Sequence, residues 1–355
     1  MATPEGGAPD SYPESLRMLE SFTATAGDQD ITVVTIANDA CRVVLTDLGA
    51  RILELHAPDR DGVLADVVLG RKSYDELPGD PYYFGVTAGR YANRLREGRF
   101  TIDGTAYEVT PNEGRNHVHG GPRGFDTYVW STALDADADS VTFSLRSPDG
   151  DEGYPGNLDA RVTYTLDGTA LEIRIEAETD RATIVNLVNH AYFNLAGHDS
   201  GTVLDQLLQV DGGFYTPVDA ELLPTGEVLA VDGTPFDFST ETPIGTNIDA
   251  VDNAGYDHNW VLDGVGMRQV ATLTDPASGR RLTLVTDQPG IQVYAGGYLE
   301  GASAKGDLET YTPFAGVTAE MQTFPDSINH SHFPQRVLRP GETYVNVVRY
   351  EFSVV

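Results

Sequence analysis

Five segments of the chain gather His, Asn, Arg, Asp and Glu beside aromatic rings and glycines. They are "GRYANRL" (89–95), "NHVHGGPRGFDTYVW" (116–130), "NLVNHAYFNLAG" (186–197), "GYDHNWVL" (255–262) and "AEMQTFPDSINHSHFP" (319–334). Each alone has an ordinary explanation. A histidine in an apolar strand usually hydrogen-bonds the backbone, and an arginine such as Arg94 can pair with a surface acid at little gain. Glu320 and Gln322 alternate with Val317, Ala319 and Met321, a pattern that fits a solvated strand face. Together the segments repeat three ingredients: proton donors and acceptors, aromatics, and glycine where backbone comes close. That mixture suits a sugar, whose hydroxyls need Asn, Asp, Arg or Gln and whose C–H faces rest on rings such as Trp260, Tyr192 or Phe193.

Two other chemistries compete. His117 and His119 have the His-x-His spacing of metal ligands in β sandwiches, and His190 or Glu320 would complete such a set. The following "GGPRGF", however, lacks an acidic ligand. A Ser-His-Asp hydrolase is disfavoured because no Gly-x-Ser-x-Gly elbow occurs and helices to follow one are missing. Cys41, the only cysteine, excludes an intramolecular disulfide and a cysteine-rich zinc site, and suits a small buried position.

The elements that must position these groups are strands. From about residue 31, short alternating runs are separated by turn residues, with 37 glycines and 20 prolines to supply the turns. "RFTIDGTAYEV" (99–109) and "RVTYTLDGTALEIRIEAE" (161–178) each place Asp-Gly between alternating segments, a strong hairpin signal. Further runs lie at 41–56, 140–147, 268–274, 280–286, 291–295 and 343–353. Only "GTVLDQLLQV" (201–210) suggests a helix, and it is as short as a strand. The expected fold is all-β, one large antiparallel sandwich over residues 21–355, preceded by a flexible acidic tail at 1–20.

Bulk composition narrows the partners. The chain has 54 acidic and 23 basic residues, a net charge of −31, with Lys72 and Lys305 its only lysines. That field repels phosphate backbones, so no nucleic-acid partner is expected. A lysine-poor acidic surface suits concentrated salt, where the Debye length shrinks to about 3 Å, and implies a halophilic, salt-accumulating host. No apolar run nears the roughly 20 residues of a membrane span, and the N-terminus lacks a basic start followed by an apolar block. A cytoplasmic protein without a membrane partner is expected, as monomer or homodimer.

Eight blocks in register resemble the aldose 1-epimerase (mutarotase) family over about residues 28–353. They are "LGARILELHAPDRDGVLADVVLG" (48–70), "GRYANRL", "NHVHGGPRGF", "NLVNHAYFNLAG", "YTPVDAELLPTGEVLAVDGTPFDF" (215–238), "GYDHNWVL", "PGIQVYAGGYL" (289–299) and "AEMQTFPDSINHSHFP". The resemblance implies a galactose-mutarotase-type β supersandwich without cofactor or metal. It assigns Glu320 as catalytic base, His190 as catalytic acid and His119 as a second active-site histidine, with Asn93, Arg94, Asp257 and Gln292 binding sugar hydroxyls. The sequence departs from the family at Gly297, often Asn, and at Thr318 and Ala319, often Cys-Leu.

The implied reaction interconverts α and β anomers of free aldohexoses such as galactose or glucose. A base takes the anomeric hydroxyl proton while an acid protonates the ring oxygen. The ring opens, C1–C2 rotates, and the steps reverse. This reading expects Glu320 and His190 on opposite sides of the sugar. It expects Asn186, Asn189 and Asn194 to orient His190 or to bond the backbone of its strand and loop, only some of them near the sugar. Pentoses stay open as substrates. A phosphorylated-hexose epimerase, drawing on Arg90, Arg96 and Arg99, and a non-catalytic carbohydrate-binding module are the alternatives. His330 and His332 are read as structural.

Overall fold

The two Asp-Gly hairpins form where the sequence places them. Arg99–Ile102 pairs with Thr105–Glu108 across Asp103 and Gly104, whose φ angles of 50° and 79° match the left-handed pair of a type I′ turn. Leu158–Asp167 pairs with Ala170–Thr179 over its full length. In Leu158–Asp167 buried residues alternate with exposed or half-buried ones, so Leu158, Ala160, Val162, Tyr164 and Leu166 all face inward.

A computed structural model describes residues 18–335 and 337–355. Three antiparallel sheets dominate. A nine-stranded sheet runs Ser131–Asp135, Ser140–Ser147, Leu158–Asp167, Ala170–Thr179, Tyr344–Val354, Arg280–Thr286, Arg268–Thr274, Leu207–Val210 and Thr242–Pro243. A six-stranded sheet runs Tyr192–Phe193, Val317–Gln322, Gly290–Tyr294, Asp257–Val261, Phe214–Thr216 and Leu229–Ala230. A five-stranded meander, Met18–Ala26 to Leu64–Asp66, completes the set. One continuous apolar cluster draws on all three, including Val43 and Leu45, Val162 and Ile173, and Val293 and Met321. The two larger sheets also touch directly. The Phe193 and Tyr350 rings meet edge to face at 5.1 Å, and Asn346 Nδ2 donates to the Met321 carbonyl at 2.9 Å.

The all-β expectation holds, and the departures are local. Strands begin at Met18, earlier than the alternation suggested, so Met18–Glu20 of the expected tail belong to the first strand, while residues 1–17 lie outside the described residues. In 201–210 the ordered element is the strand Leu207–Val210. Val317–Gln322 decides between the two readings of Glu320. All six residues are buried: Val317, Ala319 and Met321 join the apolar core, Gln322 bonds Asn186, and Glu320 stands at the wall of the polar pocket described below. Glu320 therefore does not lie on a solvated face. Among the described residues, no helix is long and apolar enough to cross a membrane.

The backbone of Gly120 has φ +97° and lies so close to Gly89 that an added Cβ would overlap the Gly89 carbonyl oxygen. Gly120→Ala is therefore expected to lower stability by about 2 kcal/mol or more, since a strained left-handed residue alone costs on the order of 1–3 kcal/mol. Urea or thermal unfolding of the variant against the wild type checks this.

Candidate active site

Strand register assembles one wall of the site. Asn259 pairs with Gln292, which pairs with Glu320; one step along, Asp257 pairs with Tyr294, which pairs with Thr318. Side chains opposite each other share a face, so Asp257, Gln292, Tyr294 and Glu320 all project from the same side of the six-stranded sheet. His258, Trp260, Val293 and Met321 project from the other side into aromatic or apolar packing. The wall is polar and under-satisfied. Both side-chain atoms of Asn259, Oε1 of Gln292 and Oε2 of Glu320 are buried with no hydrogen-bond partner among the described residues.

Facing this wall are loop residues held in costly backbone conformations. Tyr83, Asn93, His119 and Leu222 have φ between 51° and 59°, and all four line the same cavity of about 420 Å³. Backbone strain of this kind persists only where surrounding structure over-determines it. For Tyr83 the anchor is buried Asp80. It accepts from the Tyr82 and Phe84 amides at 3.1 Å each and is gripped by Arg71 at 2.7 and 2.9 Å. For His119, the Asn93 carbonyl takes its amide at 3.1 Å, and its Nδ1 accepts the Asn93 amide at 3.3 Å. His190 is fixed by backbone bonds of 2.8 Å to Val86 and 3.0 Å from Gly85. The His119 and His190 rings lie 5.0 Å apart, and Tyr83 packs against both.

The expected opposition of Glu320 and His190 across a sugar is not what the fold builds. His190 Nε2 lies 3.6 Å from Glu320 Oε1, both side chains are buried, and both line the cavity. Burial pushes the Glu320 carboxyl up to about 8, and Asp257 adds to the shift; the Thr318 hydroxyl at 3.3 Å and Arg94 partly oppose it. Burial draws His190 down to about 4, and His119 is held well below the usual histidine range by burial and by the neighbouring His190 and Arg94. Burial thus favours the neutral form of both groups, a protonated carboxyl beside a neutral imidazole.

Arg94 is the only Arg or Lys among the described residues that line the cavity. It does not present an open fork. Glu113 takes Nε and Nη2 at 2.6 and 2.8 Å, and Nη1 lies 3.6 Å from Asp257 Oδ2. Asp257 in turn accepts from Gln292 Nε2 at 2.6 Å. Asn93 Oδ1 is occupied by the Arg94 amide at 2.8 Å. All seven residues assigned by resemblance are thereby brought together: six line the cavity, and Gln292 stands behind Asp257.

Other expectations fall differently. Asn186, Asn189 and Asn194 line no part of the cavity. Asn186 binds the Ala92 carbonyl and Gln322, Asn189 binds the Gly85 carbonyl and Tyr164, and Asn194 binds the Ala315 carbonyl and Gln206. Trp260 and Phe193 are core residues; of the named rings only Tyr192 lines the cavity, and the rings missed are Tyr82, Tyr83, Tyr294 and Tyr298. Tyr82, Tyr83 and Tyr298 come from Pro/Gly-rich loops, where no periodicity marks them. His117 is no partner for His119, because its ring nitrogens meet the Thr110 carbonyl and the Tyr154 hydroxyl at 2.6 Å each. The close His/Asp/Glu group among the described residues is Glu54, His56 and Asp66. It lines a different cavity, and its acids already pair with Arg42 and Lys305. His332 Nε2 meets the Gly226 carbonyl at 2.7 Å, tying down the loop that carries Leu222. Gly297 is demanded by this chain's own backbone, since a Cβ there would overlap the Ala254 carbonyl oxygen.

An antiparallel sandwich whose one polar cavity wall carries a buried carboxyl–imidazole pair is the frame of an acid–base enzyme. The profile of the aldose 1-epimerase family matches residues 32–351. A galactose mutarotase of Bos taurus is 40% identical over 346 residues, covering 95% of this chain and 100% of that protein. An aldose 1-epimerase of Escherichia coli K12 is 37% identical over 346 residues, covering 94% and 99%. Among solved structures, an aldose epimerase homologue from C. elegans is similar with a TM-score of 0.85 at 30% identity, covering 95% of this chain and all of that one. The chain belongs to the aldose 1-epimerase family, isomerases that interconvert aldose anomers.

The buried pair links stability to pH. Above about pH 4.5 the unfolded chain releases the Glu320 proton while the folded chain keeps it up to about 8, so this group destabilises the fold as pH rises through that window. His190 acts in the opposite sense between about 6.5 and 4, where the unfolded chain takes up a proton that the fold refuses. Above about pH 6.5 Glu320 acts alone. The melting temperature of Glu320→Gln is therefore expected to gain on the wild type by several degrees between pH 6.5 and 8.5, as read by thermal unfolding across that range.

Proposed function

We propose that this chain interconverts the α and β anomers of free, neutral aldohexoses of the galactose or glucose type, with Glu320 and His190 as one proton-exchanging couple. The observation that carries the proposal is the 3.6 Å separation of the two groups at the wall of a monosaccharide-sized cavity. Transfer of the shared proton from Glu320 to His190 creates a carboxylate, which Arg94 favours, and an imidazolium, which Asp257 favours. The carboxylate takes the proton of the anomeric hydroxyl as the imidazolium gives one to the ring oxygen, and the C1–O5 bond breaks. The couple is then back in its neutral form, beside an aldehyde and a free hydroxyl. Rotation about C1–C2 and reversal of both transfers closes the ring on either face. No redox change or covalent intermediate is needed.

The remaining groups hold the ring. Asp257, braced by Gln292, accepts from hydroxyls; Arg94 Nη1 and Asn93 donate; neutral His119 holds the oxygen next to the couple. The tyrosine rings that line the cavity offer C–H contacts. The phosphorylated-hexose alternative loses its cations. Arg90 is buried on the carbonyls of Ser147, Pro148 and Gly156, Arg96 pairs with Asp219, and Arg99 pairs with Glu108. A purely sugar-binding module would gain nothing from a buried carboxyl with one unpartnered oxygen, which costs stability. The lysine-poor acid excess supports a salt-rich cytoplasm as the working environment.

Polarimetry or anomer-exchange NMR on freshly dissolved α-galactose tests this reading. Glu320→Gln is expected to lower kcat/KM by about 10²–10⁴, the usual worth of a general acid–base group. Equal rates for variant and wild type would leave only the binding module. The wild-type kcat/KM is expected to be highest between about pH 4 and about pH 8, the window in which the couple holds one proton. Below it the acceptor is lost, and above it the donor.

A further inference from the structure

Glu113 belongs to none of the groups that move protons or hold the ring in the proposal above, yet it decides what Arg94 can do. Its carboxylate occupies Nε and Nη2 of Arg94 at 2.6 and 2.8 Å, the coplanar pair of donors that would otherwise grip a carboxylate or phosphate in two-point fashion. The Glu113 side chain is 42% exposed where that of Arg94 is 11% exposed, so the acid stands on the solvent side of the guanidinium, at the edge of the cavity it lines. Asp257 flanks the remaining amino group at 3.6 Å. An incoming substrate thus meets two carboxylates around one already satisfied cation.

Resting on the function proposed above, the geometry assigns Glu113 as a specificity-determining residue that turns away aldoses bearing a carboxylate or phosphate substituent. At an ionic strength of about 0.15 M the Debye length of about 8 Å spans a cavity of about 420 Å³, so an anionic group on a bound monosaccharide feels this charge; in concentrated salt it falls to about 3 Å, and there the occupied donor pair carries the discrimination. Without Glu113 the same arginine becomes a site that attracts such a group. Discrimination then comes from a repulsive element and an occupied donor pair, with no contact to neutral sugars required.

The test compares galactose, galacturonate and galactose 6-phosphate by anomer-exchange NMR, using wild type, Glu113→Gln and Glu113→Ala. In both variants the ratio of kcat/KM for each anionic sugar to that for galactose is expected to rise about tenfold or more at low salt. The rise should shrink in about 2 M salt, where the Debye length is short. If all three sugars slow together and the ratios stay at wild-type values, Glu113 merely holds Arg94 in place and the inference is overturned. A rise for galactose 6-phosphate but not galacturonate would overturn it too, because the repulsion does not depend on the kind of anion. Wild-type enzyme that fails to accelerate galactose itself would overturn both this inference and the function it rests on.

Discussion

The constraint on which the site depends is the burial of a carboxyl and an imidazole within 3.6 Å of each other and away from bulk water. In water each would ionise independently. Here desolvation raises one and lowers the other until the pair holds a single proton at neutral pH. Several neighbouring groups bear on that balance. The strand Val317–Gln322 is covered on both faces, which keeps Glu320 dry. Arg94 and the Thr318 hydroxyl keep the carboxylate within reach. Glu113 and Asp257 are the acids that flank the guanidinium at pairing distance.

Burying such a pair stabilises nothing, which is why the surrounding scaffold is heavily cross-braced. Asp80 accepts four hydrogen bonds beneath the tyrosine loop. Asn186 and Asn346 stitch backbone carbonyls of neighbouring segments, and Asn346 joins the two large sheets. The asparagine-rich stretch around His190 is thus largely a framework. Its amides satisfy buried carbonyls so that one imidazole can be held without a backbone of regular strand around it.

The sheets were legible in the sequence because alternation and Asp-Gly turns report directly on strands with one buried face. The first strand was missed because Met18–Ala26 is mostly exposed and carries little alternation. The seven residues assigned by resemblance do meet around one cavity, while residue chemistry alone had suggested no more than a sugar. What could not be read was three-dimensional placement. Alternation put Glu320 on a defined face but could not say that both faces of that strand are covered. The spacing of His117 and His119 suggested a shared face, but the chain turns at His119, whose φ is 51°, and the two rings part. Glu113 and Tyr83 carry no periodic signal. Their roles follow from which loops meet, a property of the closed fold.

The left-handed backbone at Tyr83, Asn93, His119 and Leu222 bears on how this pocket can change over evolution or in the laboratory. At these four positions the main chain screens a replacement before any ligand does, and β-branched side chains are penalised first. New sugar preferences are therefore most accessible from cavity-lining residues outside that set, such as the exposed Tyr298. The pocket has a hard frame and a soft rim, and diversification will concentrate on the rim.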